Sequence, residues 1–233
     1  MTPLVLLHSL GSGPWLWEPQ LGPWSARFEV LPHAVTAPPR AIDDIGRDLL
    51  ALLDARGIDR AHVCGLSMGG QVAQWLGLHA PARVERIVLA CTGARIGSAA
   101  NWDQRIAAAR AGGLESIADA VVERWFTPAF RAREPEAVAR ARERLLLTPT
   151  ELYVACCEAV RDWDARAEVA AIRAPTLVVA GAHDPITPPA DGHFLAEQIG
   201  AQLVLLDAAH LANIEAAGAF TAAVADFLGG THG

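Results

Sequence analysis

Little in this sequence belongs to a chain that needs covalent or metal links to hold it together. Its 4 cysteines, Cys64, Cys91, Cys156 and Cys157, show no C-x-x-C spacing, and neighbours such as Cys156 and Cys157 are poorly placed to bridge each other. Cys64 and Cys91 lie inside apolar runs, where a cysteine acts as a small hydrophobe, so reduced core thiols and a cytoplasmic setting are expected. Neither a metal nor a cofactor is expected. No apolar run approaches the ~20 residues that span a bilayer, and no basic residue precedes the first apolar stretch, Leu4–Leu7. A membrane span and a signal peptide are therefore not expected. Positive charge is scarce: 19 basic against 26 acidic residues leave a formal charge of −7, and the arginines are scattered, which argues against nucleic acid as a partner. Internal repeats, low-complexity tracts and linkers between independent domains are also missing.

What is present is globular composition, 52% hydrophobic with 20 glycines and 15 prolines spread over 233 residues. A chain of this size buries about 70% of its extended surface, enough for an unstapled core. Apolar runs of strand length recur at Leu4–Leu7, Phe28–Leu31, Ala61–Gly65, Ile87–Cys91, Thr176–Ala180 and Leu203–Leu206. They are near-continuous rather than alternating, the pattern of parallel strands covered on both faces. Helical stripes lie between them: Ile45, Leu49, Leu52 and Leu53 end near Gly57, and Val72, Trp75 and Leu76 form another. The alternation predicts a doubly wound, mostly parallel α/β sheet. From Cys91 to Thr176 the alternation stops. Ile117, Val121 and Trp125 share one helical face after Gly112-Gly113, and Glu136 to Leu147 starts another helix before Pro149. This is read as a helical cap, residues 94–172, inserted into a core of residues 1–93 and 173–233. Leaving from a strand's carboxyl end, it should lie over the edge where open α/β sheets bind ligands.

The segment richest in chemistry is Gly65-Leu66-Ser67-Met68-Gly69, a G-x-S-x-G pentapeptide between a buried strand and an amphipathic helix. That context defines a nucleophile elbow, whose flanking glycines admit close backbone and whose helix aims its positive end at a developing oxyanion. A serine needs a base, and the base an orienting carboxylate, in the order Ser, Asp/Glu, His. Asp184 follows the strand Thr176–Ala180 and His210 follows Leu203–Leu206, so both fall on loops at the carboxyl edge. His183 competes with His210 and Asp207 with Asp184, but His183 adjoins its own acid and Asp207 stands three residues before His210. His8 ends the first strand and is read as shaping a turn, His62 starts a strand, His79 lies in a helix and His232 in the tail. Oxyanion donors are expected from the backbone of Met68 and of Leu10, in the turn His8-Ser9-Leu10-Gly11.

These residues resemble the α/β-hydrolase family and, within it, the 3-oxoadipate enol-lactonases. The resemblance rests on His8 to Gly11, Gly65 to Gly70 with Gln74 to Gly77, Ala94 to Gly97, Glu123 to Pro128, Ala155 to Cys157, Gly181 to Asp184 with Thr187 to Pro189, and Ala209 to Glu215. It spans most of the chain; the triad motifs carry the superfamily and the cap segments the lactonase branch. Two departures stand out. The sequence opens directly at Leu4–Leu7 without a preceding hairpin, and Leu31 to Ala41 replaces the family's Asp-x-Arg-Gly-His-Gly-x-Ser loop. The resemblance implies opening of a carboxyl-bearing lactone by Ser67, His210 and Asp184, with a small-molecule lactone or ester as the partner and no membrane. Arg95, at the start of the cap, is the candidate for the substrate's carboxylate, and Trp125 for the cap side of the pocket. A carboxylesterase, a carbon–carbon bond hydrolase or a cofactor-free perhydrolase shares such a triad. A non-catalytic ligand-binding protein on the same scaffold is the reading from another class. Nothing in the sequence bears on oligomeric state.

Overall fold

A computed structural model describes residues 1–230. Six strands, β1 (Thr2–Leu7), β2 (Phe28–His33), β3 (Ala61–Leu66), β4 (Val84–Ala90), β5 (Thr176–Gly181) and β6 (Gln202–Leu206), form one sheet in the order β2-β1-β3-β4-β5-β6. Every pairing is parallel. The expected doubly wound sheet is therefore present, each strand within a few residues of its sequence reading. β3 and β5 are buried at every position, as continuous apolar runs require. The sheet's edges are not: β2 and β6 are partly exposed along most of their length, because an edge strand has a neighbour on one side only.

Helices α1 (Glu18–Ser25), α2 (Ile42–Ala55), α3 (Met68–His79) and later α9 (Pro189–Ile199) connect consecutive strands. α2 buries Ile42, Ile45, Leu49 and Leu53, one side chain per turn, each worth about 1.5–3 kcal/mol at most. It packs on α3 closely enough that a Cβ on Gly46 would lie 2.1 Å from the Trp75 ring. On the other face Trp17, Trp24 and Phe220 of α11 (Ala217–Gly229) meet at centroid distances of 6.1–6.2 Å. The chain winds from β1 outward to β2, then crosses to β3 and continues to β6, so the winding direction reverses between β1 and β3. The crevice at their carboxyl ends is the switch point where such sheets bind ligands.

Between β4 and β5 lie α4 (Ala99–Gly112), α5 (Ala118–Trp125), α6 (Pro128–Arg133), α7 (Pro135–Leu146) and α8 (Thr150–Asp162), with no strand. Sequence periodicity points to two of these five; α4 is alanine-rich with a weak stripe and α6 is short, whereas α8 carries an apolar face, Tyr153, Val154, Cys157 and Val160, that the sequence reading does not single out. The excursion is pinned over the carboxyl edge at several places. Ala165 N–H donates to Ala94 O (2.9 Å), Leu211 N–H donates to Trp125 O (2.9 Å), and the Tyr153 ring would sit 2.9 Å from a Cβ on Gly11. α10 (Ala212–Glu215) completes the fold beneath it. No helix among the described residues is long and apolar enough to cross a membrane.

Candidate active site

Ser67 stands between β3 and α3 with φ 58° and ψ −114°, outside the regions an L-residue favours. Such a residue costs of order 1–3 kcal/mol and persists only where its surroundings over-determine it. Here they do. A Cβ on Gly65 would fall 2.1 Å from Gly69 O, and one on Gly69 2.2 Å from Leu7 O, so only glycine fits on either side of the turn. Ser67 N–H donates to Ala90 O (2.9 Å), while Ser67 O accepts from Gln71 N–H (3.1 Å) and the buried Thr92 hydroxyl (2.7 Å). Met68 is the first residue of α3, so its N–H has no acceptor within the helix and points out of the positive end. Leu7 pairs with Gly65 across β1 and β3, which sets the buried loop of Ser9, Leu10 and Gly11 (φ 73°) beside the elbow.

Asp184 and His210 meet on the loops after β5 and β6, at the same carboxyl edge of the sheet as Ser67. His210 Nδ1 donates to Asp184 Oδ2 at 2.7 Å, and both side chains are almost wholly buried. Asp184 Oδ2 also accepts from the Thr187 hydroxyl (2.6 Å), and its Oδ1 from the N–H groups of Ile186 (2.8 Å) and Thr187 (3.0 Å). Burial pushes this carboxyl up, but the His210 charge and hydrogen bond, with the Thr187 donors, outweigh it and hold Asp184 below the usual carboxylate range. With an acceptor on Nδ1, the neutral His210 ring carries its proton there and leaves Nε2 basic, the arrangement of an oriented general base. Close backbone approach recurs here too, since a Cβ on Gly181 would lie 2.3 Å from Ala209 O.

The competing residues are accounted for. His183 and Asp207 pair with each other at 2.8 Å, both exposed. His8 is buried, donating from Nδ1 to Ser9 O (2.8 Å) and accepting at Nε2 from Val35 N–H (3.2 Å); burial lowers its pKa to about 4. It shapes the turn, as the sequence suggested. His79 stacks on Trp75 at 5.1 Å, His62 is buried at the start of β3, and His232 lies outside the described residues. The four cysteines are free and buried.

Arg95 lies 3.9 Å from Asp164, a carboxylate already engaged by Arg166. Trp125 is buried and packs on Trp15 with ring centroids 6.4 Å apart. Two other cap cations, not singled out by the sequence, approach the site. Arg105 donates from Nε to the Tyr153 hydroxyl (2.7 Å) and lies against the Trp102 and Tyr153 rings, 5.2 and 5.4 Å from their centroids. Arg124 is exposed, but partial desolvation and the neighbouring Arg105 lower its pKa. Arg105 and Arg124 line a cleft of about 540 Å³ with Ile96, Trp102, Pro185 and Ile186, the last two directly following Asp184. On the far side of Arg124 a cleft of about 700 Å³ touches the site through Pro185 and Ala209 rather than through Ser67 or His210. Asp191 was also missed. Burial and the nearby Asp184 push its carboxyl up to about 6. No signal in one sequence reveals such placements, which depend on how the cap helices dock.

Comparison with known proteins matches residues 4–224 to the model of the alpha/beta hydrolase family. The chain is 39% identical over 230 residues to 3-oxoadipate enol-lactonase 2 of Acinetobacter baylyi, covering 95% of this chain and 86% of that one. Among solved structures it resembles the enol-lactonase from Burkholderia xenovorans LB400 with a TM-score of 0.94 and 40% identity, over 99% of this chain and 92% of that one. A hydrolase from Pseudomonas aeruginosa gives a TM-score of 0.94 and 42% identity, over 98% and 91% of the two chains. A match over nearly the whole chain, with a sheet and elbow of the kind described, places this protein in the alpha/beta hydrolase family.

Proposed function

We propose that this enzyme opens a carboxyl-bearing enol-lactone, 3-oxoadipate enol-lactone or a close relative, through an acyl-enzyme on Ser67. The reading is carried by the buried Asp184–His210 pair at 2.7 Å on the carboxyl edge that also carries a serine held at φ 58°. Similarity to two named enol-lactonases supports the substrate class. His210 Nε2 takes the Ser67 proton as Oγ attacks the lactone carbonyl, Asp184 orients and stabilises the imidazolium, and the Met68 and Leu10 N–H groups hold the oxyanion. Collapse breaks the ring C–O bond, and His210 returns the proton to the departing enol oxygen. The enol, still tethered to the acyl group, tautomerises to a ketone. His210 then takes a proton from water, whose oxygen attacks the ester, and hands it to Ser67 Oγ as the free acid leaves.

The substrate's own carboxylate is assigned to Arg105 and Arg124 rather than Arg95. Arg95 shares Asp164, whereas Arg105 and Arg124 have no carboxylate within ion-pair distance among the described residues and line the cleft beside Asp184. Residues 94–172 act as the cap that carries them, and the buried Trp125 supports the cap from within. The test compares hydrolysis of 3-oxoadipate enol-lactone with that of a neutral aryl ester of similar size, using wild type and Ser67→Ala. Ser67-dependent preference for the lactone is expected. Ester turnover with an inert lactone would keep the triad and move the enzyme to an esterase branch; full activity in Ser67→Ala would overturn the reading.

A further inference from the structure

We propose that Glu215 is a positioning residue that ties the cap to the loop carrying His210, so that cap closure and placement of the base are one event. The inference rests on the reading of Ser67 and His210 above and adds a residue to it. Glu215 ends the short α10, outside the triad, yet its carboxylate gathers donors from two distant parts of the chain. Oε2 accepts from Ala209 N–H (3.0 Å), the residue before His210, and from Thr127 N–H (3.2 Å) in the cap. Oε1 accepts from the Thr127 hydroxyl. That hydroxyl in turn accepts from Phe130 N–H (3.1 Å), capping α6. On the other side of His210, Leu211 N–H donates to Trp125 O (2.9 Å).

Both backbone neighbours of His210 are thus fastened to the same cap segment, Trp125 to Thr127, one directly and one through Glu215. The carboxylate's hydrogen bonds are charge-assisted and hence stronger than those of neutral pairs. Geometry at the reacting centre is sensitive: a displacement of about 1 Å costs on the order of 100-fold in rate. Without Glu215, the Ala209 amide and Thr127 would lose their shared acceptor, and the backbone around His210 would be fastened to the cap on one side only.

The experiment uses the full chain as wild type, Glu215→Ala, Glu215→Gln and Thr127→Val. Three quantities are measured: the rate of Ser67 phosphonylation by a fluorophosphonate, kcat and KM for a neutral aryl acetate, and thermal stability. Glu215→Ala should slow labelling and lower kcat by about 10- to 100-fold, with KM changed by less than about 2-fold. Glu215→Gln should recover most of this, because its amide oxygen still accepts from both backbone N–H groups. Thr127→Val, which removes the cap's hydroxyl and spares Ala209, should lower kcat by a smaller factor, and it carries the test if Glu215→Ala does not fold. A folded Glu215→Ala with wild-type labelling and kcat, or a Gln variant as impaired as Ala, or an unchanged kcat in Thr127→Val, would overturn the proposal. Failure of wild type itself to label at Ser67 would instead overturn the reading on which it rests.

Discussion

At the carboxyl edge of the sheet, Gly65, Gly69 and Gly181 each have a backbone oxygen 2.1–2.3 Å from where a Cβ would stand, whereas the helices above pack through side chains, from the buried Trp125, Leu145 and Tyr153 out to ion pairs at the surface. The cap's ion pairs, such as Arg110–Glu158 (2.7 Å) and Arg161–Asp103 (2.8 Å), sit on its outer surface. Surface pairs of this kind contribute about 0–1 kcal/mol each. The edge therefore has no room for an added side chain, whereas the outer face of the cap does. At the edge this chain sets backbone against backbone and buries Asp184 with hydrogen bonds from His210 and Thr187. On the proposed reading the substrate's carboxylate is met by arginines on helices; every one of the 19 basic residues is arginine.

Breaking the rigid side should have the largest effect. Asp184→Asn removes the anion that orients His210 and stabilises the imidazolium; a fall of about 10⁴ in kcat with native circular dichroism is expected. A variant within 10-fold of wild type would mean that His210 is not the base. Gly69→Ala forces a methyl into Leu7 O, so a stability loss above about 4 kcal/mol, or insoluble protein, is expected in urea titrations. Ready tolerance would show that the elbow is looser than described.

His8 offers a sharper probe of the same edge. Its folded pKa, near 4, lies below the unfolded value near 6.5, so the unfolded chain binds the extra proton across that window. Stability from neutral His8 is thus present above pH 6.5 and falls as pH drops to about 4, by up to about 3 kcal/mol. Asp191, pushed up to about 6, acts in the opposite direction over part of that range. The wild-type minus His8→Gln difference in unfolding free energy, taken at pH 7.5 and 5, isolates the His8 contribution. It should shrink at the lower pH, and a constant difference would contradict the assignment. The smallest effect belongs to the cap surface: Arg110→Ala should shift Tm by about 2 °C or less and leave kcat unchanged.

The same contrast separates what was legible in the sequence from what was not. Strand runs, the elbow and the order Ser67, Asp184, His210 are local patterns: each residue lies within a few residues of a strand's carboxyl end, and parallel strands put those ends on one side. The edge character of β6 was not legible, because Leu203–Leu206 is as apolar as the central strands; for β2 only Glu29 and Pro32 hint at it. Nor was the direction of Arg95. Its place just after β4 put it at the rim, but Asp164, about seventy residues on, decides where its guanidinium goes. Arg105, Arg124 and Glu215 acquire their neighbours only when helices far apart in sequence dock, and no period or motif encodes that. Glu215 ends the Ala209–Glu215 stretch of the family resemblance, but its sequence neighbours give it no role.

The central claim is that chemistry resides in the sheet edge and selectivity in the cap. It is tested most directly by kcat/KM for 3-oxoadipate enol-lactone and for a neutral aryl ester in wild type, Ser67→Ala and Arg105→Ala/Arg124→Ala. Ser67→Ala should lose both activities, while the double-arginine variant should lose about 10- to 100-fold on the lactone alone. Loss of both substrates in equal measure from the arginine variant, or survival of either in Ser67→Ala, would contradict it.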